Sequence, residues 1–154
     1  MNHLVILRPP YIDMIMTGEK TVESRLSQRR HPAATRCRPG DLLYFKRTGG
    51  DIEGRARVVA VDEYRGLDAD SLRAVAALWA GRVAAGKPED WYQDLKRDAR
   101  HALFFTLAGV ETIHIPRSAL PRTLPWASAW IVGQPSEALV QSIAPLDPRG
   151  GWGT

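Results

Sequence analysis

The sequence is poor in the residues that build disulfides, metal sites with several ligands, and membrane spans. Cys37 is the single cysteine, so the chain can form no internal disulfide and no site with several thiolates. Its four histidines are scattered without the spacing of metal ligands, and we expect neither a metal nor another cofactor. No apolar run reaches membrane-spanning length, and the N-terminus lacks a basic lead followed by an apolar stretch. These absences predict a cytoplasmic protein with no membrane partner.

Three familiar nucleotide and hydrolase motifs are also missing. The sequence has no Walker phosphate loop, no glycine-rich dinucleotide motif and no Gly-x-Ser-x-Gly nucleophile elbow. It does have 154 residues, 44% of them hydrophobic and 25% charged, which is the balance of one globular domain. We expect that domain at residues 1–133, followed by a partly irregular C-terminal tail at 134–154.

Positive charge is concentrated in the N-terminal part of the chain. Over residues 1–57, lysine and arginine outnumber aspartate and glutamate by 11 to 6, whereas the whole chain carries a net charge of +4. Five arginines fall between Arg25 and Arg38 with no acid among them, a pattern that would attract phosphate. A solvated arginine-rich loop explains the same pattern equally well from charge alone.

Hydrophobic patterning predicts strands towards both ends of the chain and helices in its middle. Helices are predicted at 9–17, from Asp68 or Asp70 to Val83, at 89–100, and as a turn at 137–143. Strands are predicted at 4–7, 20–26, 42–47, 52–61, 101–107, 111–115 and 129–133. A doubly wound sheet would need strand and helix to alternate throughout. The order instead predicts an α+β fold, most simply a small mixed or antiparallel β-barrel with a helical insertion in the middle of the chain.

The densest chemistry follows the first helix. Gly18 stands where a left-handed helix cap is expected, and Lys20, Glu23 and Arg25 come within the next seven residues. If the three converged at a cleft, Lys20 and Glu23 would be candidates for acid–base catalysis and Arg25 for ligand binding. A surface ion pair between Glu23 and Arg25 explains the pattern without a cleft. Ideal strand alternation also puts Lys20 on the opposite face from Glu23.

A second and weaker candidate is the hairpin after the third strand. Lys46 alternates with Leu42 and Tyr44, and Thr48 opens a Gly-Gly turn whose backbone amides could bind an anion. A lysine whose stem packs beside an ordinary hairpin explains the same residues. Lys46 and Thr48 are therefore candidate ligand-binding residues.

The spacing Gly18-x-Lys20-x-x-Glu23-x-Arg25 resembles the signature of the ASCH family, within the PUA-like superfamily. Ser27 and Arg30 after the signature also resemble bacterial members, as do Pro39-Gly40-Asp41 and residues 46–50. The resemblance is strongest over residues 4–61 and extends to about 115. It implies a small PUA-like mixed β-barrel whose signature residues line a cleft for RNA or nucleotide-like ligands. It adds Ser27 and Arg30 to the ligand-binding candidates.

Two activities are implied by this resemblance. Some small bacterial ASCH proteins hydrolyse N4-acetylcytidine with a lysine, a threonine three residues later and a glutamate further on, and others are associated with RNA cleavage. Lys20 fits that lysine, but Glu23 stands at the threonine position, so the hydroxyl nucleophile is not carried over. The first hypothesis is an RNA- or nucleotide-binding hydrolase with Glu23 as base and Lys20 as acid or electrostatic stabiliser. The alternatives are a non-catalytic RNA-binding module and an amidohydrolase acting on N4-acylated cytidine.

Overall fold

The computed structural model describes residues 1–83 and 98–143. Within these ranges the chain forms three α-helices and six β-strands. The helices are α1 at Tyr11–Thr17, α2 at Ala69–Val83 and α3 at Glu137–Ile143. The strands are β1 at Asn2–Leu7, β2 at Val22–Ser27, β3 at Leu42–Arg47, β4 at Ile52–Tyr64, β5 at His101–Ile115 and β6 at Trp130–Val132. No helix in the described ranges is long and apolar enough to cross a bilayer.

The strands form one mixed sheet in the order β2-β5-β4-β3-β1-β6. The β1–β3 pair is parallel, and the other four pairs are antiparallel. The sheet curls into a half-barrel whose two edge strands are β2 and β6. The predicted α+β class and mixed barrel-like sheet are confirmed, and α2 lies between β4 and β5 as the predicted helical insertion.

The two faces of the sheet carry different apolar clusters. One face holds a cluster drawn from β1, β3, β4, β5 and β6, over which Ile12 and Ile15 of α1 pack. The opposite face carries two clusters, one against α2 and one against α3. Each helix therefore buries its apolar side on the sheet, which is the main source of stability for elements this short. Val140 of α3 belongs to the last cluster, while the predicted domain boundary after residue 133 stays a prediction.

Strand β2 carries charge on the same face as the first apolar cluster. Glu23 is paired with Phe105 of β5, and Arg25 with Leu103. Directly paired residues in an antiparallel sheet point to the same face, and both β5 partners belong to the first cluster. The charged side chains of β2 therefore point towards the interior of the half-barrel, where a surface ion pair is not expected.

Several predicted boundaries are wrong. Strand β1 begins at Asn2 and helix α1 at Tyr11, where 4 and 9 were predicted. Residues 101–115 form one strand, where two were predicted. The pairing of β5 with β4 shifts in register around Gly109, whose φ of 62° is in the left-handed region, and the strand continues through this bulge. Strand β4 extends to Tyr64, beyond the predicted end at residue 61. Strand β2 begins at Val22, so Lys20 precedes it. The helix predicted at 89–100 falls mostly outside the described residues.

Candidate functional site

A pocket of about 390 Å³ opens between the two edges of the curled sheet. Its walls come from β1, α1, β2, the end of α2 and the segment that leads into β6. The lining residues are Ile6, Leu7, Arg8, Tyr11, Lys20, Glu23, Ser24, Arg25, Thr48, Val83, Trp126 and Ala129. A cavity of this size with mostly apolar walls and a few converging polar groups is typical of a small-molecule site. The structure thus brings Lys20, Glu23, Arg25 and Thr48 of the predicted set to one pocket.

Lys20 reaches the pocket because it lies in the bend before β2. Its backbone N–H donates to the carbonyl of Met14 at 3.0 Å, which folds the chain back over α1 after the predicted left-handed cap at Gly18. The next residue, Thr21, donates its N–H to the carbonyl of Arg82 at 3.0 Å. Strand alternation does not extend back to Lys20, so its side chain shares the pocket with Glu23.

The Lys20 ammonium is almost completely buried, with 3% of the residue exposed. Nζ donates to the carbonyl oxygen of Val83 at 2.7 Å and lies 4.0 Å from Oε1 of Glu23. Val83 ends α2, where carbonyls lack partners within the helix and a nearby cation is favourable. Burial lowers the pKa of Lys20, the charge of Glu23 opposes that shift, and Arg25 lowers the pKa further. Lys20 therefore both caps α2 and places an unusually acidic ammonium in the pocket.

Glu23 and Arg25 leave polar atoms without hydrogen-bond partners in this pocket. Glu23 is 4% exposed, and its Oε1 accepts a bond from the N–H of Ser24 at 2.8 Å. Its Oε2, together with Nε and Nη2 of Arg25, is buried with no partner among the described residues. The Arg25 guanidinium carbon lies 5.4 Å from the Trp130 ring centre. An unpartnered buried polar atom costs about 1–3 kcal/mol, so a donor brought to Glu23 and an acceptor brought to Arg25 would each lower the free energy of this site.

Lys46 does not line this pocket. It is 2% exposed, its Nζ donates to the carbonyl of Arg47 at 3.2 Å, and it lies 5.4 Å from the Trp126 ring centre. Burial and the charge of Arg117 lower the pKa of Lys46, against the opposing charge of Asp51. Because Trp126 lines the pocket, the ring of Trp126 separates Lys46 from the pocket.

Ser27 and Arg30 lie apart from the pocket. The hydroxyl of Ser27 donates to the carbonyl of Arg29, and Nε of Arg30 donates to Oε2 of Glu63 at 3.0 Å. Both residues line a separate depression that also includes Asp98. Ser27 and Arg30 therefore bond to groups outside the pocket, and their part in ligand binding stays a prediction.

Eight lining residues were not predicted as site residues, and four of these are polar or aromatic: Arg8, Tyr11, Ser24 and Trp126. The Arg8 guanidinium carbon lies 5.9 Å from the Tyr11 ring centre, and Nζ of Lys20 lies 5.7 Å from the same centre. Trp126 stands in a proline-rich loop outside any helical spacing, and that context distinguishes it from Trp79 of α2, which packs in an apolar cluster. The other three are brought in by the bend after β1 and by the start of β2.

Within residues 1–83 and 98–143, one cluster of side chains has the composition of a metal site. It consists of His3, Cys37 and Asp41, whose possible ligand atoms all lie within 4.8 Å of one another. The indole N–H of Trp130 donates to Nδ1 of His3 at 3.0 Å, so the His3 proton belongs on Nε2, which faces Oδ2 of Asp41 at 2.9 Å. Burial raises the pKa of the Cys37 thiol to about 12. Both ring nitrogens of His3 are thus engaged in hydrogen bonds, one with Trp130 and one with Asp41, which favours a hydrogen-bonded core cluster over a metal centre.

The comparisons with known proteins identify the family through a sequence model and the fold through solved structures. A sequence model of the ASCH domain matches residues 5–114. No curated protein matches the chain. In structure the chain is similar to the crystal structure of ASCH from Zymomonas mobilis, with 22% identity, a TM-score of 0.58, and coverage of 76% of this chain and 74% of that one.

Two point mutants of the Zymomonas mobilis protein give the same result. A serine-to-alanine mutant is 20% identical with a TM-score of 0.57, and the match covers 76% of this chain and 75% of that one. A tyrosine-to-phenylalanine mutant is 19% identical with a TM-score of 0.54, and the match covers 76% of each chain. These likenesses show that the chain shares the fold of the Zymomonas mobilis protein. Because the ASCH model covers more than half of the sequence, the chain belongs to the ASCH domain family.

Proposed function

We propose that this chain binds RNA or a nucleotide, seats one nucleoside unit in the pocket between the sheet edges, and hydrolyses the ligand there. The observation that carries the proposal is the set of unpartnered atoms on Glu23 and Arg25, buried in a mostly apolar pocket. The edge of a nucleobase presents donors and acceptors side by side, which suits a carboxylate oxygen next to a guanidinium. Membership of the ASCH family supports this general class of ligand.

The size and walls of the pocket suit one nucleoside better than a whole strand of RNA. Its volume of about 390 Å³ lies near the lower end of small-ligand sites. Tyr11 and Trp126 offer aromatic rings in the walls, and stacking of a base on such a ring contributes about 1–3 kcal/mol. A single flipped-out nucleotide of an RNA, or a free nucleotide, would fill it.

The proposed hydrolysis uses Glu23 as base and Lys20 as acid. Glu23 Oε2 takes the proton of a water or ribose hydroxyl as that oxygen attacks the reacting phosphorus or carbon and forms a new bond to it. The bond to the leaving group breaks, and the Lys20 ammonium gives it a proton or stabilises its negative charge. The lowered pKa of Lys20 strengthens it as an acid, and its 4.0 Å separation from Oε1 of Glu23 keeps both groups at one reaction centre.

The test is hydrolysis of RNA and of nucleotides by the wild type, Glu23→Gln and Lys20→Met, each purified identically so that contaminating nucleases are matched. Glutamine keeps the shape of Glu23 and its acceptor for Ser24, so we expect normal folding and a loss of rate of about 100-fold or more. Arg73→Gln removes the same charge as Lys20→Met and is the control for it, because Arg73 is exposed and lines neither the pocket nor the depression beside Ser27 and Arg30. Equal rates for Glu23→Gln, Lys20→Met and the wild type would show that the catalytic roles are wrong.

A non-catalytic binding module is the second candidate, because both proposed catalytic groups have structural partners. Lys20 caps α2 through Val83, and Glu23 is held by the N–H of Ser24. On this hypothesis the ligand binds and is recovered unchanged. Salt dependence then separates the ligands: binding through several phosphates weakens steeply as salt rises, whereas a bare nucleoside gives a nearly flat response.

Amidohydrolase activity on N4-acylated cytidine is the third candidate. Ser24 and Thr48 both line the pocket and supply hydroxyls, although Glu23 occupies the expected nucleophile position. The measurement is release of cytidine from N4-acetylcytidine by the wild type, Ser24→Ala and Thr48→Val. Turnover that neither substitution reduces would exclude both hydroxyls as nucleophile.

A further inference from the structure

A second depression lies against the same tryptophan that walls the pocket. It measures about 520 Å³ and is lined by Asp51, Arg117, Ser118, Leu120, Pro121, Arg122 and Trp126. Trp126 is the residue that lines both cavities, so its side chain forms a shared wall between them. A ligand that passes the edge of this ring would occupy both.

The charge of this second depression is positive. Arg117 and Arg122 line it and are exposed, and neither guanidinium has a carboxylate within 4.0 Å in the described part of the chain. The one acid in its lining, Asp51, is already engaged: Oδ2 lies 2.9 Å from Nε2 of His114, and Oδ1 accepts the N–H of Arg117 at 2.8 Å. Two cations therefore face the depression with one acid that is already hydrogen-bonded.

Lys46 adds a buried cation beside this depression. Its Nζ lies 5.4 Å from the Trp126 ring centre, and the Arg117 guanidinium carbon lies 5.8 Å from the same centre. The lysine is 2% exposed, and its ammonium makes no ion pair with any described carboxylate. The charge of Asp51 acts on Lys46 from beyond ion-pair distance and offsets part of the cost of burying the ammonium, and an anion bound nearby would lower that cost further.

We propose that the depression formed by Arg117, Arg122 and Trp126 binds a phosphate group of the ligand whose nucleoside occupies the neighbouring pocket. This inference rests on the proposed function, since it assumes a nucleoside unit beside Glu23 and Arg25. It makes the ligand a nucleotide or an oligonucleotide, and it gives Trp126 the role of dividing base from phosphate. Residues 117–126 lie beyond the segment 5–114 that the ASCH domain model matches, whereas Asp51 of the same depression lies within it.

The test compares each of the four ribonucleosides with its 3′- and 5′-monophosphates by calorimetric titration. For the wild type we expect the favoured nucleotide to bind at least about tenfold more tightly than its nucleoside, because charge-assisted hydrogen bonds to phosphate are strong. In the Arg117→Gln/Arg122→Gln double variant we expect nucleoside affinity to be unchanged and the nucleotide advantage to fall close to one. Arg73→Gln is the charge control and keeps the full advantage.

Three outcomes separate the two proposals. A nucleotide advantage that the double variant loses and Arg73→Gln retains supports the subsite. Nucleoside binding that a phosphate does not strengthen, or an advantage that survives in the double variant, overturns the subsite and leaves the nucleoside pocket standing. Absence of binding by every nucleoside and nucleotide overturns the pocket assignment, and the subsite fails with it. Both arginines are exposed, so the double substitution leaves the apolar clusters intact.

Discussion

Lys20 and Glu23 are held by backbone groups as well as by each other, and this fixes where their charges lie. The carbonyl of Val83 holds the ammonium at 2.7 Å, and the N–H of Ser24 holds one carboxylate oxygen at 2.8 Å. Each group keeps further hydrogen-bonding capacity, which is what a binding site needs from a residue that also stabilises the fold. The sequence shows that these charges are close in the chain but not that Lys20 precedes the strand, and that position decides its direction.

The Cys37 thiol is expected to react slowly with thiol reagents as long as the protein is folded. Its thiol is 1% exposed, and burial raises its pKa to about 12. The thiolate is the reactive form, so at about pH 8 we expect the native protein to react with a disulfide reagent far more slowly than an exposed cysteine does. Complete reaction should follow unfolding in guanidinium. Labelling is followed by absorbance, and each molecule reports one thiol.

The reference for that measurement is Ala74→Cys in a Cys37→Ala background. Ala74 is exposed on α2, so its cysteine reports the rate for an accessible thiol. Equal labelling rates for the native wild type and this reference would contradict the buried, protonated state of Cys37. They would also place the His3–Cys37–Asp41 cluster in contact with solvent.

Helix α1 sits against strand β4 at a point where the strand has no side chain. A Cβ added to Gly54 would lie 2.3 Å from Sδ and 2.7 Å from Cε of Met16, and 3.3 Å from the carbonyl oxygen of Glu111. Because α1 carries Tyr11 and leads into Lys20, this close approach also sets one wall of the pocket. The sequence predicts α1 and its cap from local patterns, but nothing local shows that the distant Gly54 is needed to seat it.

Gly54→Ala is therefore expected to lower the free energy of unfolding by about 1–3 kcal/mol, as overpacking does in other cores. Combining it with Met16→Ala should cost less than the sum of the two single changes, because shortening Met16 removes the clash. Urea unfolding of the wild type, Gly54→Ala, Met16→Ala and the double variant measures the coupling between the two changes in free energy of unfolding. Gly81→Ala is the matched control: a Cβ at this exposed position of α2 meets nothing within 4 Å, so it should be neutral or stabilise by about 0.4–1 kcal/mol. Additive effects of Gly54→Ala and Met16→Ala would contradict the contact.

Over the whole molecule, the pocket exists because the sheet curls until its edges approach each other. Trp126 is far from Lys20 in the sequence, and the two meet only through the strand order β2-β5-β4-β3-β1-β6. Periodicity and turn chemistry predict most of the strands and the α+β class, because those signals are local. The pairing of β2 with β5 and the approach of the segment before β6 are long-range. For that reason the sequence predicts Lys20, Glu23 and Arg25 but not Trp126 as site residues.

Glu63 joins distant parts of the chain through three donors. Its carboxylate accepts from Arg30 at 3.0 Å and from Arg65 at 2.9 Å, and it lies 2.7 Å from Nε2 of His101. The hydrogen bond from Arg30 lowers the pKa of Glu63 most, and those with Arg65 and His101 lower it further, to about 2 from an ordinary 4.5. These contacts tie the arginine-rich loop to β4 and β5, so they contribute to the stability of the whole fold.

Because the folded-state pKa lies below the unfolded one, the carboxylate stabilises the fold fully above pH 4.5 and loses that contribution as the pH falls towards 2. Glu63→Gln should therefore lower the free energy of unfolding at neutral pH, and the gap to wild type should close between pH 4.5 and 2. Urea unfolding across this range measures the gap. Asp70→Asn is the control, because Asp70 is exposed and its contact with Arg73 spans 3.8 Å. The difference in free energy of unfolding between Asp70→Asn and the wild type should therefore be small at every pH. A difference between wild type and Glu63→Gln that stays constant down to pH 2 would show that the negative charge of Glu63 is not the source of the stabilisation.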